Sequence, residues 1–186
     1  MSRSGEQIGI EEQRVSTEED ADGGEPAATV SWRELLVEAR ARLGSTVDAR
    51  RIVERASGTD GAEHHLRLDD AVTVRAAAHF EQMVERRATG EPLQYVLGAW
   101  GFRTLDLYVD SRVLIPRPET ETVVEVALAE LRNLGCRAPV AVDLGTGSGA
   151  IALSLAREVP GIEVWAVDRS ADALAVARAT LAGLGR

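Results

Sequence analysis

The residues with the clearest chemical potential lie between 140 and 168. An apolar run, Val140-Ala-Val, ends in the carboxylate Asp143, and glycines follow at 145, 147 and 149 before the apolar stretch Ala150 to Arg157. A buried parallel strand, a tight glycine turn and a helix N-terminus make a cradle for a nucleotide-like ligand. Glycine suits such a turn because it tolerates positive φ and lets a ligand approach the backbone. Gly145-x-Gly147-x-x-Ala150 satisfies the dinucleotide fingerprint, which alone is a weak signal. Two acids sharpen it. Asp143 stands before the first glycine, where a dinucleotide-binding strand usually stays apolar. A second apolar run, Val164-Trp-Ala-Val167, closes on Asp168, where a carboxylate can accept hydrogen bonds from ribose hydroxyls. The alternative of a plain α/β packing unit without a ligand leaves three glycines in five residues with nothing to do.

The elements that must position these groups form an α/β chain in several parts. Residues 1–30 carry eight acids against two arginines and few large apolar side chains. Such a tail cannot offset its ordering entropy and is expected to be disordered. Residues 31–90 read as a small helical module. Ser31-Trp-Arg-Glu34 is a capping box, Leu35, Ala39 and Leu43 recur at helical spacing, and Gly44 stops the first helix. A second helix starts at Ser45, buries Val47, Ile52, Val53 and Ala56, and stops at Gly58. A polar loop with His64 and His65 follows; without a third ligand nearby it is expected to be solvated and metal-free. A third helix runs from about Asp70, capped by Asp69, to Ala88, with Arg75, Arg86 and Arg87 on its solvated face.

Alternation of Leu93, Tyr95 and Leu97, and of Leu105, Leu107 and Val109, predicts a β-hairpin linker over 91–118. Pro116 and Pro118 keep the next segment extended until Pro118 enters a helix. That helix buries Val123, Val124, Ala127, Leu128, Leu131 and Leu134, and Gly135 ends it. Ser170 caps a last helix packed through Leu174, Ala177 and Leu181. Residues 119–186 thus hold only two central strands, where a doubly wound sheet usually has about six. The expectation is a C-terminally truncated domain with open edges and bare apolar surface.

Net charge is −9 with no lysine, which argues against a basic nucleic-acid-binding surface. The single Cys136 excludes an internal disulfide, suits a reducing cytosol, and is expected to be structural. No apolar stretch spans a bilayer and no secretory signal opens the chain, so a cytoplasmic monomer is expected.

Gly90-Glu-Pro-Leu-Gln-Tyr-Val-Leu-Gly98, Gly101-Phe102, Leu114-Ile-Pro-Arg-Pro-Glu-Thr-Glu121, Asp143-Leu-Gly-Thr-Gly-Ser-Gly-Ala-Ile151 and Ala166-Val-Asp-Arg169 occur in one order and spacing. This combination resembles the HemK/PrmC family, the peptide chain release factor N5-glutamine methyltransferases, over about residues 31–186. The resemblance implies a helical substrate-recognition domain (31–90), a β-hairpin linker (91–118) and the first part of a Rossmann-like class I methyltransferase domain (119–186). It implies methyl transfer from S-adenosyl-L-methionine to the glutamine amide of the Gly-Gly-Gln motif in class 1 release factors. Gly145, Thr146, Gly147, Ser148 and Gly149 would wrap the methionine part of the cofactor, and Asp168 would hold the ribose. Asp143 would support the loop or meet the cofactor's amino group. Phe102, Arg117, Pro118, Glu119 and Thr120 would lie at the substrate pocket. The family's Asn-Pro-Pro-Tyr substrate clamp is not present in this sequence, so no catalytic residue is assigned. Two other classes compete: a non-catalytic release-factor-binding fragment, and an NAD-binding Rossmann oxidoreductase, which Asp143 and the flanking motifs disfavour.

Overall fold

The computed structural model describes residues 30–184; the acidic stretch expected to be disordered lies outside them, apart from Val30. Three helices, α1 (Trp32–Leu43), α2 (Thr46–Ser57) and α4 (Val74–Ala88), pack around Trp32, Leu36, Ile52, Val53, Phe80, Met83 and Val84. The Ser31 capping box forms with both of its bonds, and Gly44 and Gly58 end α1 and α2 in the left-handed conformation. Val47, expected inside, is exposed, and Ala49 takes the buried position.

Two expectations in this module are corrected. The histidine loop is a short helix, α3 (Gly61–Leu66), with His64 buried; burial pushes its imidazole below the usual range. The third long helix starts at Val74, capped by Thr73, whose hydroxyl accepts the Ala76 amide. Asp69 cannot cap it, because its carboxylate takes two bonds from the Arg33 guanidinium. The backbone of 68–72 is also engaged by the start of α1: Arg33 N–H donates to Leu68 C=O at 2.8 Å, and Ser31 bridges to Ala71.

Residues 93–97, expected to be extended, form the helical turn α5 (Leu93–Leu97), closed by Gly98 at φ 66°. Alternation over five residues does not separate a strand from one helical turn. Leu93, Val96 and Leu97 also stand at i, i+3 and i+4, and these three pack into the helical module, whereas Tyr95 packs on the second core. Arg86, expected to be solvated, secures this joint: its guanidinium binds Glu91 and donates to the carbonyls of Tyr95 and Val96. Arg87 is likewise engaged, with Asp48 and Glu91 C=O, while Arg75 is exposed.

The hairpin joins β1 (Ala99–Phe102) to β2 (Leu105–Tyr108), antiparallel, with Phe102 opposite Leu105. A second core gathers Phe102, Leu105, Leu107, Val109, Val124, Leu128, Leu155 and Val176. It lies beneath α6 (Thr120–Asn133), α7 (Ala150–Glu158) and α8 (Ala171–Leu184). Pro118 sits in the turn before α6. Val123 and Leu134, expected inside α6, are exposed, and so are Leu181 of α8 and Cys136. The buried face of α8 is instead Ala173, Val176, Ala177 and Thr180.

β3 (Val140–Leu144) and β4 (Glu163–Val167) pair in parallel, with Val140 opposite Glu163. Alternation puts Val140, Val142, Leu144, Trp165 and Val167 on one face, and all five are exposed.

Arg103 ties the hairpin to this half. It occupies the hairpin turn at φ 52°, a conformation that costs a non-glycine residue about 1–2 kcal/mol. Its guanidinium makes two bonds to Glu158 at 2.6 and 2.8 Å and one to Glu125 at 2.6 Å, and its amide donates to Glu121. Only 12% of the side chain is exposed. Truncation would leave Glu158 unpaired at the end of α7. Arg103→Ala is therefore expected to lower stability by about 2 kcal/mol in urea unfolding. Arg103→Gly should recover part of that loss by removing the φ strain.

Candidate functional site

The glycine turn sits at the carboxyl ends of β3 and β4 and runs directly into α7. Its conformation depends on glycine at each odd position: φ is 82° at Gly145, 56° at Gly147 and 86° at Gly149. Space differs among them. A Cβ on Gly145 or Gly147 would meet nothing within 4 Å, so that side of the turn is open. A Cβ on Gly149 would come within 2.9 Å of Leu153 Cδ1 and 3.3 Å of Ala177 Cβ, so that position is closed by α7 and α8.

Carboxylates and one carbonyl hold the turn. Val167 C=O accepts the amides of Gly145 and Thr146 at 2.8 and 3.0 Å. Asp143 accepts the Thr146 hydroxyl at 2.7 Å and the Ala152 amide at 3.2 Å. Asp168 accepts the Gly147 amide at 3.0 Å and the Ser170 amide at 2.9 Å. The Ser170 and Gly147 amides hold the Asp168 carboxyl below its ordinary range. Ser170 then caps α8 by accepting the Ala173 amide. Thr146 and Ser148 are buried within the turn. Among the described residues, the amides of Ser148, Ala150 and Ile151 have no acceptor. These donors at a helix N-terminus suit a ligand carrying a carboxylate or other oxygen acceptors.

Asp143, Thr146, Gly147 and Asp168 are thus joined through direct bonds. The candidate pocket residues lie elsewhere. Arg117, Pro118 and Glu119 line a cleft of about 360 Å3 with Gln94, Tyr95, Trp100, Leu114, Ile115 and Pro116. Thr120 begins α6 beside it, its amide bonded to Arg117 C=O. Phe102 is not on this cleft: it is 2% exposed, inside the second core. Trp100, two residues earlier on β1, presents to the cleft instead. Strand alternation places residues 100 and 102 on one face, but only packing decides which of them reaches the opening. Tyr95, in the cleft wall, donates its hydroxyl to Val113 C=O at 2.6 Å. The sequence motifs assign neither Tyr95 nor Trp100 to the pocket; their polar tips and large rings near the Pro116 segment are the available signal. Among the described residues no group of three or more His, Cys, Asp or Glu could hold a metal ion.

Residues 34–98 match the PrmC N-terminal domain and residues 124–185 match the Methyltransferase small domain. The chain belongs to the HemK/PrmC family. A release factor glutamine methyltransferase of Burkholderia pseudomallei (strain K96243) is 43% identical over 139 residues, 75% of this chain and 48% of that protein. The protein of that name in Deinococcus radiodurans is 40% identical over 160 residues, 82% of this chain and 57% of its own length. That of Escherichia coli (strain K12) is 39% identical over 147 residues, 78% and 52% respectively. The chain spans about half the length of the curated relatives it matches. The HemK/PrmC assignment agrees with a helical N-terminal region followed by the opening units of a Rossmann-like methyltransferase fold. No described helix is long and apolar enough to cross a membrane.

The turn makes two substitutions informative. Gly149→Ala combines positive φ with a clash and should cost about 2–3 kcal/mol in unfolding. Gly147→Ala meets only the φ penalty, about 1–2 kcal/mol, while its methyl group enters the open side of the turn. Acid should weaken the Asp168 anchor. Its folded pKa is depressed, so its contribution is complete above the unfolded value near 4 and fades as pH falls through the folded value. Between about pH 5 and pH 3 the parent should therefore lose more stability than Asp168→Asn, measured by urea unfolding across that range.

Proposed function

We propose that this chain carries the S-adenosyl-L-methionine site of an enzyme that methylates the glutamine side-chain amide in the Gly-Gly-Gln motif of class 1 peptide chain release factors. The observation that carries the reading is the glycine turn: unpaired amides at the start of α7, an open side at Gly145 and Gly147, and a carboxylate at each strand end. The chemistry of these donors fits the cofactor. Amides at a helix N-terminus suit its carboxylate, and the remaining lone pairs of Asp168 suit ribose hydroxyls. Asp143 is already engaged by Thr146 and Ala152, which favours loop support as its role over contact with the cofactor's amino group. The relatives' name, release factor glutamine methyltransferase, supports the substrate.

When bound, S-adenosyl-L-methionine supplies an electrophilic methyl group on a cationic sulfonium. The acceptor is the harder partner, because an amide nitrogen's lone pair is delocalised into its carbonyl. The protein's task is placement of the nitrogen in line with the methyl carbon and sulfur, with acceptors aimed at the amide hydrogens as positive charge develops. In this reading the turn residues 145–149, Asp143 and Asp168 orient the donor. The cleft of Tyr95, Trp100 and Pro116 to Glu119 receives the substrate chain. The Asn-Pro-Pro-Tyr clamp expected to grip the amide is not among the residues of this chain, so binding is the direct readout here.

Calorimetry with S-adenosylhomocysteine should show saturable binding to the parent and at least about tenfold weaker binding to Asp168→Ala, the loss expected when charged hydrogen bonds are removed. Equal affinity would remove Asp168 from the ribose role.

A further inference from the structure

We propose that the free edge of β1 is a docking edge for an extended segment of the protein substrate, paired as a third strand of the hairpin. The proposal rests on the release-factor reading above. The hydrogen-bond phase of the hairpin sets which groups are available. Val109 N–H donates to Gly98 C=O, and opposite residues alternate between bonded and non-bonded pairs. Gly98, Trp100 and Phe102 therefore face β2. Ala99 and Gly101 turn their amides and carbonyls to the other side. The same phase turns the Tyr108 amide away from β1, and there it donates to Thr180 Oγ1 of α8 at 3.0 Å. On the outer edge of β2 Tyr108 is thus engaged by α8, whereas among the described residues neither the Ala99 nor the Gly101 amide of β1 has an acceptor.

Space and continuity favour an extended chain as the occupant. Ala99 and Gly101 border an open groove with Arg51, Leu97, Trp100 and Asp106. Gly101 is exposed, and a Cβ there would meet nothing within 4 Å. Small residues at both outward positions let a second backbone approach to strand distance. Arg51 and Asp106 put both charge signs at the rim, available to either flank of a docked peptide. Trp100 lines this groove and also the cleft of Pro116 to Glu119. A chain paired along β1 would thus lie beside the proposed acceptor cleft, with Trp100 between the two. Main-chain bonds of this kind give affinity with little demand on side chains, which suits a glycine-rich segment that has few side chains to recognise.

Amide hydrogen exchange by NMR on the full chain, with and without a short synthetic peptide centred on Gly-Gly-Gln, tests this. Exchange at Ala99 and Gly101 should slow by about tenfold or more when peptide is bound, while Trp100 and Phe102, already in the ladder, change little. A matched peptide with N-methylated backbone beside Gly-Gly-Gln should bind at least about tenfold more weakly. Peptide binding that shifts Pro116 to Thr120 signals but leaves both edge amides unchanged would overturn the docking edge and leave the release-factor reading standing. No peptide binding, with S-adenosylhomocysteine still bound, would overturn the docking edge and the substrate reading while the cofactor reading stands.

Discussion

The candidate site depends on carboxylates bonded to backbone amides. Three glycines at positive φ would otherwise leave a floppy turn, since glycine loses more freedom on ordering than any other residue. Asp143, Asp168 and Val167 C=O hold five donors in the turn and the first part of α7. Because these acceptors end β3 and β4, parallel pairing of the strands sets the shape of the turn. The same bonding leaves Ser148, Ala150 and Ile151 amides without protein acceptors. The first amides of a helix have no intrahelical acceptor, so the start of α7 offers these donors to a ligand beside the open side of the turn.

The second constraint is the joint between the two cores. α5 sends Leu93, Val96 and Leu97 one way and Tyr95 the other, and Arg86 clasps its carbonyls. Arg103 then fastens the hairpin to α6 and α7. α6 follows the Pro116 cleft and α7 follows the glycine turn, so one guanidinium braces the two helices that follow the proposed binding features. An arginine suits this position because its fork reaches two carboxylates in a fixed geometry.

The exposed sheet face contrasts with these satisfied groups. Val140, Val142, Leu144, Trp165 and Val167 present a continuous apolar surface, of the kind a monomeric protein rarely leaves bare. Asp143 on the opposite side of β3 is half-buried under α7. The strands therefore bury the side that supports the turn and leave the other uncovered within the described residues.

Local chemistry was sufficient to determine the strand–turn–helix unit, the Ser31 capping box, the Gly44 and Gly58 stops, the second hairpin strand at Leu105–Tyr108 and the family motifs. Each depends on neighbours within a few residues, where φ preferences and capping bonds act directly. Contacts across the chain decided the rest. Asp69 is diverted from capping by Arg33, thirty-six positions away. Residues 93–97 coil because their apolar positions serve two cores. Phe102 turns inward while Trp100 reaches the cleft. Arg86 and Arg103 become anchors only once distant carboxylates and carbonyls converge on them. A pattern of polar and apolar types encodes periodicity, but it does not encode which partner arrives from far along the chain, and that arrival sets burial, charge pairing and the final direction of each side chain.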